Sequence, residues 1–138
     1  MYGQWQKAVA KHGLEAEENY KTMFLKLLKG KLHKAIVTEA DLNYTGSIAI
    51  DADLLKASSI IPFEHVEVYN ITSGERFTTY AIEAPGGSGT ITINGAAAHK
   101  AKKGDKVIIC AFIYMLPEEV TGHKPSTIII DENNRIVR

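Results

Sequence analysis

Lys106-Val107-Ile108-Ile109-Cys110-Ala111-Phe112-Ile113-Tyr114 is the stretch from which the fold reads most directly. β-Branched and aromatic side chains fill it, which suits a pleated, half-buried surface. It falls far short of the roughly 20 apolar residues that a membrane-spanning helix needs, and no other stretch approaches that length. Outward from it, Leu32 to Thr38, Ser47 to Ile50, Val66 to Ile71, Arg76 to Ile82, Thr90 to Ile93 and Thr127 to Ile130 share the same enrichment. Turn chemistry separates them at Thr72-Ser73-Gly74-Glu75, Pro85-Gly86-Gly87-Ser88-Gly89, Lys103-Gly104-Asp105 and Asp131-Glu132-Asn133-Asn134. Short strands at this spacing predict a mainly β fold, a small closed barrel. Helices are few. Asp51 is an N-cap for Ala52 to Ser58, and Pro117-Glu118-Glu119 is a first turn with proline at its start.

Residues 1 to 22 read differently. Gln4 to Asn19 is polar and weakly helical with Gly13 interrupting it, and the segment is taken as an extension that is a tag, a misassigned start or a packing arm. The domain proper is expected over residues 23 to 138. In the 138 residues, 45% are hydrophobic and 23% charged, enough for one sizeable core. The 16 basic and 16 acidic residues cancel, so no global field draws in nucleic acid or an anionic membrane, and neither partner is expected. Cys110 is the single cysteine and the N-terminus lacks the apolar core of a secretory signal, so a soluble, cytoplasmic protein is expected.

Several familiar chemistries fail on spacing. Histidines at 12, 33, 65, 99 and 123 are nowhere at ligand spacing, and one cysteine builds no structural zinc site, so no metal is expected. The loop at 85 to 90 lacks the lysine of a phosphate-binding loop and reads as a hairpin loop. Lys21, Lys26, Lys29, Lys31 and Lys34 form an acid-free basic run with only Tyr20 and Phe24 interleaved, read as a solvated strand face.

Gly46-Ser47 sits at the end of Asp41-Leu42-Asn43-Tyr44-Thr45, in a turn that enters a strand. A serine hydroxyl held in a strained turn attacks the preceding carbonyl and converts the peptide bond to an ester, and glycine leaves that carbonyl uncrowded. β-Elimination then releases the upstream chain and leaves dehydroalanine, which hydrolyses to a pyruvoyl group and ammonia. Such a ketone captures an amine as a Schiff base and takes up the electron pair freed when carbon dioxide leaves, in place of pyridoxal phosphate. The dipeptide alone is more often a plain turn.

Its company adds weight. Gly30-Lys31-Leu32-His33, Ala40 to Ser47, Gly74-Glu75-Arg76-Phe77-Thr78-Thr79-Tyr80-Ala81-Ile82 and Asn94-Gly95-Ala96-Ala97-Ala98-His99, in that order, resemble the pyruvoyl-dependent aspartate α-decarboxylases from about Met23 to Asp131. The resemblance implies a six-stranded double-psi β-barrel, a homotetramer with active sites between subunits, and conversion of L-aspartate to β-alanine and carbon dioxide for pantothenate and coenzyme A. It implies that Ser47 becomes the pyruvoyl group, with residues 1–46 as β chain and 47–138 as α chain, and with neither metal nor pyridoxal phosphate.

By the same resemblance Thr79 stabilises the oxyanion of the acyl shift and lies in the substrate site, and Tyr80 returns the proton to the α carbon. Arg76 grips the side-chain carboxylate, Lys31 meets the α-carboxylate more loosely, and Asn94, Gly95, Ala96 and Ala97 line the substrate. Adjacent residues on a strand face opposite ways, so Thr79 and Tyr80 serve one site only if the strand twists or bulges. The alternatives are a non-cleaving barrel that binds nucleic acid or an acidic partner through its lysine-rich first strand, and the same enzyme acting on glutamate.

Overall fold

The computed structural model describes residues 21–138. The helical reading of Gln4 to Asn19 therefore lies outside the described residues, as does the extension at 1 to 22 apart from Lys21 and Thr22. The chain divides into two compact units, residues up to Leu27 with Phe112–Lys124, and Leu28–Ala111 with Pro125–Arg138.

In chain order the elements are β1 (Leu25–Ile36), β2 (Glu39–Asp41), β3 (Ser47–Asp51), α1 (Ala52–Ser58), β4 (His65–Asn70), β5 (Arg76–Ala84), β6 (Ile91–Asn94), a 3-10 turn (Gly95–His99), β7 (Lys106–Met115), α2 (Pro117–Val120) and β8 (Ser126–Ile129). In the smaller unit, Lys26 Nζ lies 5.0 Å from the centre of the Phe112 ring. There α2 starts at Pro117, and the Leu116 N–H donates to Glu119 Oε1 at 2.8 Å.

The larger unit carries the closure that a barrel requires. Hydrogen-bonded neighbours run β2-β6-β3-β5-β4-β7-β1-β8. Only Val37 and Thr38 separate β1 from β2. One nearly continuous segment thus holds β7 with its first half and β6 with its second, and the order returns on itself as a ring of six, with β8 added along β1. The mainly β class is as expected. The ring mixes parallel pairs (β2–β6, β3–β5) with antiparallel ones (β3–β6, β4–β5, β4–β7), compatible with the double-psi barrel of the resemblance.

Alternation sets inside and outside. Ile48 and Ile50, Val66 and Val68, Ile91 and Ile93, and Val107 and Ile109 are fully buried on one face. On β1 the buried set changes parity, from Gly30 and Leu32 to Ala35 and Val37. The cause is Lys34, whose φ of 68° inserts a left-handed residue into the strand. Strand β1 also begins at Leu25, ahead of the expected Leu32, and β2 was not expected. Glu-Ala-Asp has little strand propensity and is extended because it pairs with Thr92 to Asn94.

Asp51 caps α1 as expected, accepting from the Asp53 N–H at 2.8 Å, but it does more. Its carboxylate, 1% exposed, also accepts from the Gly87 N–H at 3.0 Å and the Gly89 N–H at 2.8 Å. Asn134 ties the same loop to β1 through Gly89 O and Ile36 O, both at 2.8 Å. Burial alone would raise the Asp51 pKa, but the N–H donors of Gly89, Asp53 and Gly87, with the Arg135 charge, outweigh it and hold the group below its ordinary value. A depressed carboxylate contributes stability above its unfolded pKa and loses it as pH falls through the folded one. Asp51→Asn should therefore lower stability at pH 7 by about 2 kcal/mol, and the gap from wild type should narrow at pH 3. Urea midpoints at the two pH values measure it, and a gap that is unchanged or wider in acid would remove the anchor.

Candidate active site

The larger unit brings Gly46, Ser47, Asn94 and Gly95 to one place. Ser47 opens β3 opposite Asn94, the last residue of β6. The pair is buried, at 2% and 4% exposure, and Asn94 Nδ2 donates to Ser47 Oγ at 3.3 Å. That bond takes one lone pair of the hydroxyl and fixes where the oxygen sits. Gly95 has a φ of +69°, and a Cβ there would come within 2.6 Å of Gly46 Cα and 2.8 Å of Gly46 N. The chain before Ser47 is thus packed backbone to backbone against Gly95, which only glycine at position 95 permits.

Strand β5 supplies Thr79 and Tyr80. It pairs in parallel with β3 from Ile48↔Ala81 onward, so one step back Ser47 falls beside Tyr80 and the next step puts Gly46 level with Thr79. The β4–β5 ladder is unbroken from His65↔Tyr80 to Tyr69↔Arg76. With no bulge there, Thr79 shares the inner face with Phe77 and Ala81, while Tyr80 faces outward with Ser47 and Asn94. A loop clamps this part of β5. Phe63 N–H donates to Ala81 O at 2.7 Å, Ala81 N–H donates to Glu64 O at 2.9 Å, and Glu64 is held by Lys29 Nζ at 2.8 Å.

The basic residues lie elsewhere on the outer face. Arg76 begins β5, four residues from Tyr80, so the two Cα atoms stand roughly 13 Å apart along the strand. Its guanidinium stacks on the Tyr69 ring, 4.5 Å from the centre, and the Tyr69 hydroxyl donates to Glu67 Oε1 at 3.2 Å. Glu67 pairs with Cys110 on β7. Burial and then Glu67 push the Cys110 thiol above its ordinary pKa, against the lowering effect of Lys31. Lys31 and Arg76 thus flank a Glu67–Tyr69–Cys110 patch, away from Ser47. Ala96 and Ala97 follow Gly95 in the 3-10 turn, with Ala97 against the core and Ala96 exposed.

Sequence reasoning missed Tyr69 and Glu67. Their link to Arg76 depends on hairpin register, which the turn at Ser73-Gly74 fixes but composition does not reveal. It also missed His33, whose Nδ1 is buried without a hydrogen-bond partner and whose pKa is lowered by burial and by Lys31 and Lys34. Two open depressions of about 520 and 530 Å³ lie along Ile36 and the turn at 131 to 135, and neither is lined by Ser47, Tyr80 or Asn94. Among the described residues no three His, Cys, Asp or Glu side chains converge, and no helix there is long and apolar enough to cross a membrane.

A mainly β ring with a buried serine behind a glycine is the class of protein that fold and site define. The profile of the aspartate decarboxylase family matches residues 23–137. The aspartate 1-decarboxylase of Thioalkalivibrio sulfidiphilus is 57% identical over 116 residues, covering 84% of this chain and 92% of that protein. The one from Phenylobacterium zucineum is 55% identical over 83% and 97% of the two chains, and the one from Caldicellulosiruptor bescii 53% over 84% and 91%. The chain belongs to the aspartate decarboxylase family.

Gly95→Ala tests the close packing at Gly46 directly. In an uncleaved Ser47→Ala background it should lower stability by about 1–3 kcal/mol in thermal or urea unfolding, because the new methyl collides with backbone. A cost near zero would mean that the two glycines do not meet.

Proposed function

We propose that this chain cuts itself between Gly46 and Ser47 and, as a pyruvoyl enzyme, converts L-aspartate to β-alanine and carbon dioxide, supplying pantothenate and coenzyme A. Family membership supports the reaction. The single observation behind the cleavage is the buried Ser47 hydroxyl, fixed by Asn94 next to a glycine that Gly95 holds in place.

In the first step Ser47 Oγ adds to the Gly46 carbonyl carbon, and the C–N bond breaks to leave an ester and a free amine. Asn94 keeps the oxygen in place, and Thr79, level with Gly46, is the candidate donor to the transient oxyanion. Loss of the Ser47 α proton then breaks the Cβ–Oγ bond, so Gly46 departs as a new carboxylate terminus. Water completes the conversion and ammonia leaves.

The residues fit the group so made: it forms at the buried head of β3, on the outer face with Tyr80 beside it. A pyruvoyl ketone there would supply an electrophile for the substrate amine and a sink for the electron pair that carbon dioxide leaves behind. Tyr80, whose phenol side chain carries an exchangeable proton, is the candidate donor that returns a proton to the α carbon. Arg76 holds the side-chain carboxylate, and Lys31 meets the α-carboxylate without the tight pairing that would oppose its loss. Backbone N–H groups of Gly95 to Ala97 line the substrate. The single buried thiol supports a reducing, cytoplasmic setting.

Assembly as a homotetramer, with sites shared between copies, belongs to the same reading. Tyr80 and Arg76 have Cα atoms roughly 13 Å apart along β5, and the Arg76 guanidinium lies over Tyr69, which supports a reading in which a second chain supplies the cations. Leu42 and Tyr44, just ahead of Gly46, and Ile61 and Phe63, on the loop that clamps β5 at Ala81, are each more than half exposed and offer apolar surface for that contact.

Denaturing mass spectrometry should find two fragments, the larger starting at residue 47 as a pyruvoyl peptide; a chain that stays at 15.2 kDa would sink the proposal. Ser47→Ala should stay whole, folded and inactive. Tyr80→Phe should cleave normally but lose at least about 100-fold in kcat.

Coexpressing Ser47→Ala with Arg76→Ala provides a separate check on shared sites. Each chain alone should be nearly inactive, and the mixture should regain activity because some interfaces combine an intact Ser47 with an intact Arg76. No recovery in a confirmed mixed tetramer would place each site within one chain.

A further inference from the structure

Arg76 is exposed at the start of β5, where a long side chain ordinarily samples many rotamers. Among the described residues no carboxylate forms a salt bridge with it. What it has is the Tyr69 ring, 4.5 Å from the guanidinium carbon to the centroid, supplied by the directly paired residue on β4. Stacking uses the face of the guanidinium and leaves its edge N–H groups free for a ligand. A carboxylate partner would have consumed those same donors.

The ring is itself held. Tyr69 is half-buried, and its hydroxyl donates to Glu67 Oε1, two residues back on the same face of β4. Burial and the Glu67 charge push the phenol above its ordinary pKa, so it remains a donor throughout the working range. The acid and the base on this face are therefore joined through an aromatic ring and not to each other. That arrangement fixes the direction of a cation while sparing its hydrogen bonds.

We propose that Tyr69, steadied by Glu67, is a positioning residue that holds Arg76 at a fixed reach and thereby sets the length of dicarboxylic amino acid the site accepts. The proposal rests on the reading of Arg76 as the anchor for the substrate's side-chain carboxylate. Aspartate and glutamate differ by one methylene. A guanidinium free to swing follows the longer carboxylate outward, whereas one stacked on a fixed ring does not.

The test is steady-state kinetics of the fully cleaved enzyme on L-aspartate and L-glutamate. Tyr69→Ile keeps a strand-compatible side chain and removes the ring. It should raise KM for aspartate about fivefold, with kcat within about twofold of wild type and a smaller aspartate-to-glutamate ratio of kcat/KM. Tyr69→Phe, which restores the ring face, should recover most of that loss. In an Arg76→Ala background, Tyr69→Ile should add nothing further. If Tyr69→Ile does not fold, Glu67→Gln, which loosens the ring without removing it, should shift KM and the ratio in the same direction by less.

An unchanged KM and an unchanged ratio in Tyr69→Ile, with KM raised in Arg76→Ala, would overturn the positioning role and leave the anchor standing. A fall in kcat alone would overturn it in favour of a structural role. An unchanged KM in Arg76→Ala would instead remove the anchor, and the positioning role with it.

Discussion

A buried carboxylate with three backbone donors fixes the far end of the strand that opens at Ser47. Asp51 closes β3, caps α1 through Asp53 and draws the loop at 86 to 89 over itself through Gly87 and Gly89. Hydrogen bonds to a charged acceptor contribute about 1.5–3 kcal/mol each, more than neutral ones, and a buried carboxylate without them would be strongly destabilising. Asn134 extends the tie from the glycine loop to Ile36 on β1. One end of a five-residue strand is therefore fixed to a helix, a loop and a second strand. Ser47, at its other end, has little freedom left.

Close backbone approach does the rest. At Gly30 a Cβ would come within 1.7 Å of the Ser58 carbonyl oxygen, so α1 rests its C-terminal turn directly on β1. At Gly95 a Cβ would meet Gly46. Ser58 covers its own hydroxyl by donating to Leu54 O at 2.8 Å, which allows that contact to be dry. Packing of this kind transmits position well, because backbone atoms have no rotamers through which to yield. It explains why the motifs at 30 to 33 and 94 to 99 each begin with or contain a glycine.

Much of this was legible in the sequence, and the parts that were not share a cause. Strands at Ser47, Arg76 and Lys106 began where β-branched runs met turn residues, and the Asp51 cap was readable from side-chain chemistry next to a helical run. Local signals sufficed for these. The extension of β1 back to Leu25, the left-handed Lys34 and the strand at Glu39 to Asp41 were not readable, because tertiary pairing imposes them against local propensity. The relation of Thr79 to Tyr80 was half legible: alternation put them on opposite faces, and only the unbroken ladder with β4 excluded a bulge. Glu67 and Tyr69 carry no motif at all. Their place beside Cys110 and Arg76 comes from strand register, a long-range property of the ring.

The distance along β5 between Tyr80 and Arg76 bears on how the two proposed reactions avoid interfering. Self-cleavage generates an amine from a neutral amide, and a fixed cation at that spot would raise the cost of any protonated amine formed there. The groups placed at the Gly46–Ser47 bond are uncharged: the Asn94 amide and the Gly95 backbone, with Thr79 and Tyr80 level with the two residues on β5. Decarboxylation needs the opposite setting, since an amino acid with two carboxylates must be drawn in and held. With Lys31 and Arg76 on a separate patch of the outer face, the site proposed for cleavage is left neutral. In the proposed tetramer, cations from a neighbouring copy would complete a charged site without altering the backbone geometry at Gly46.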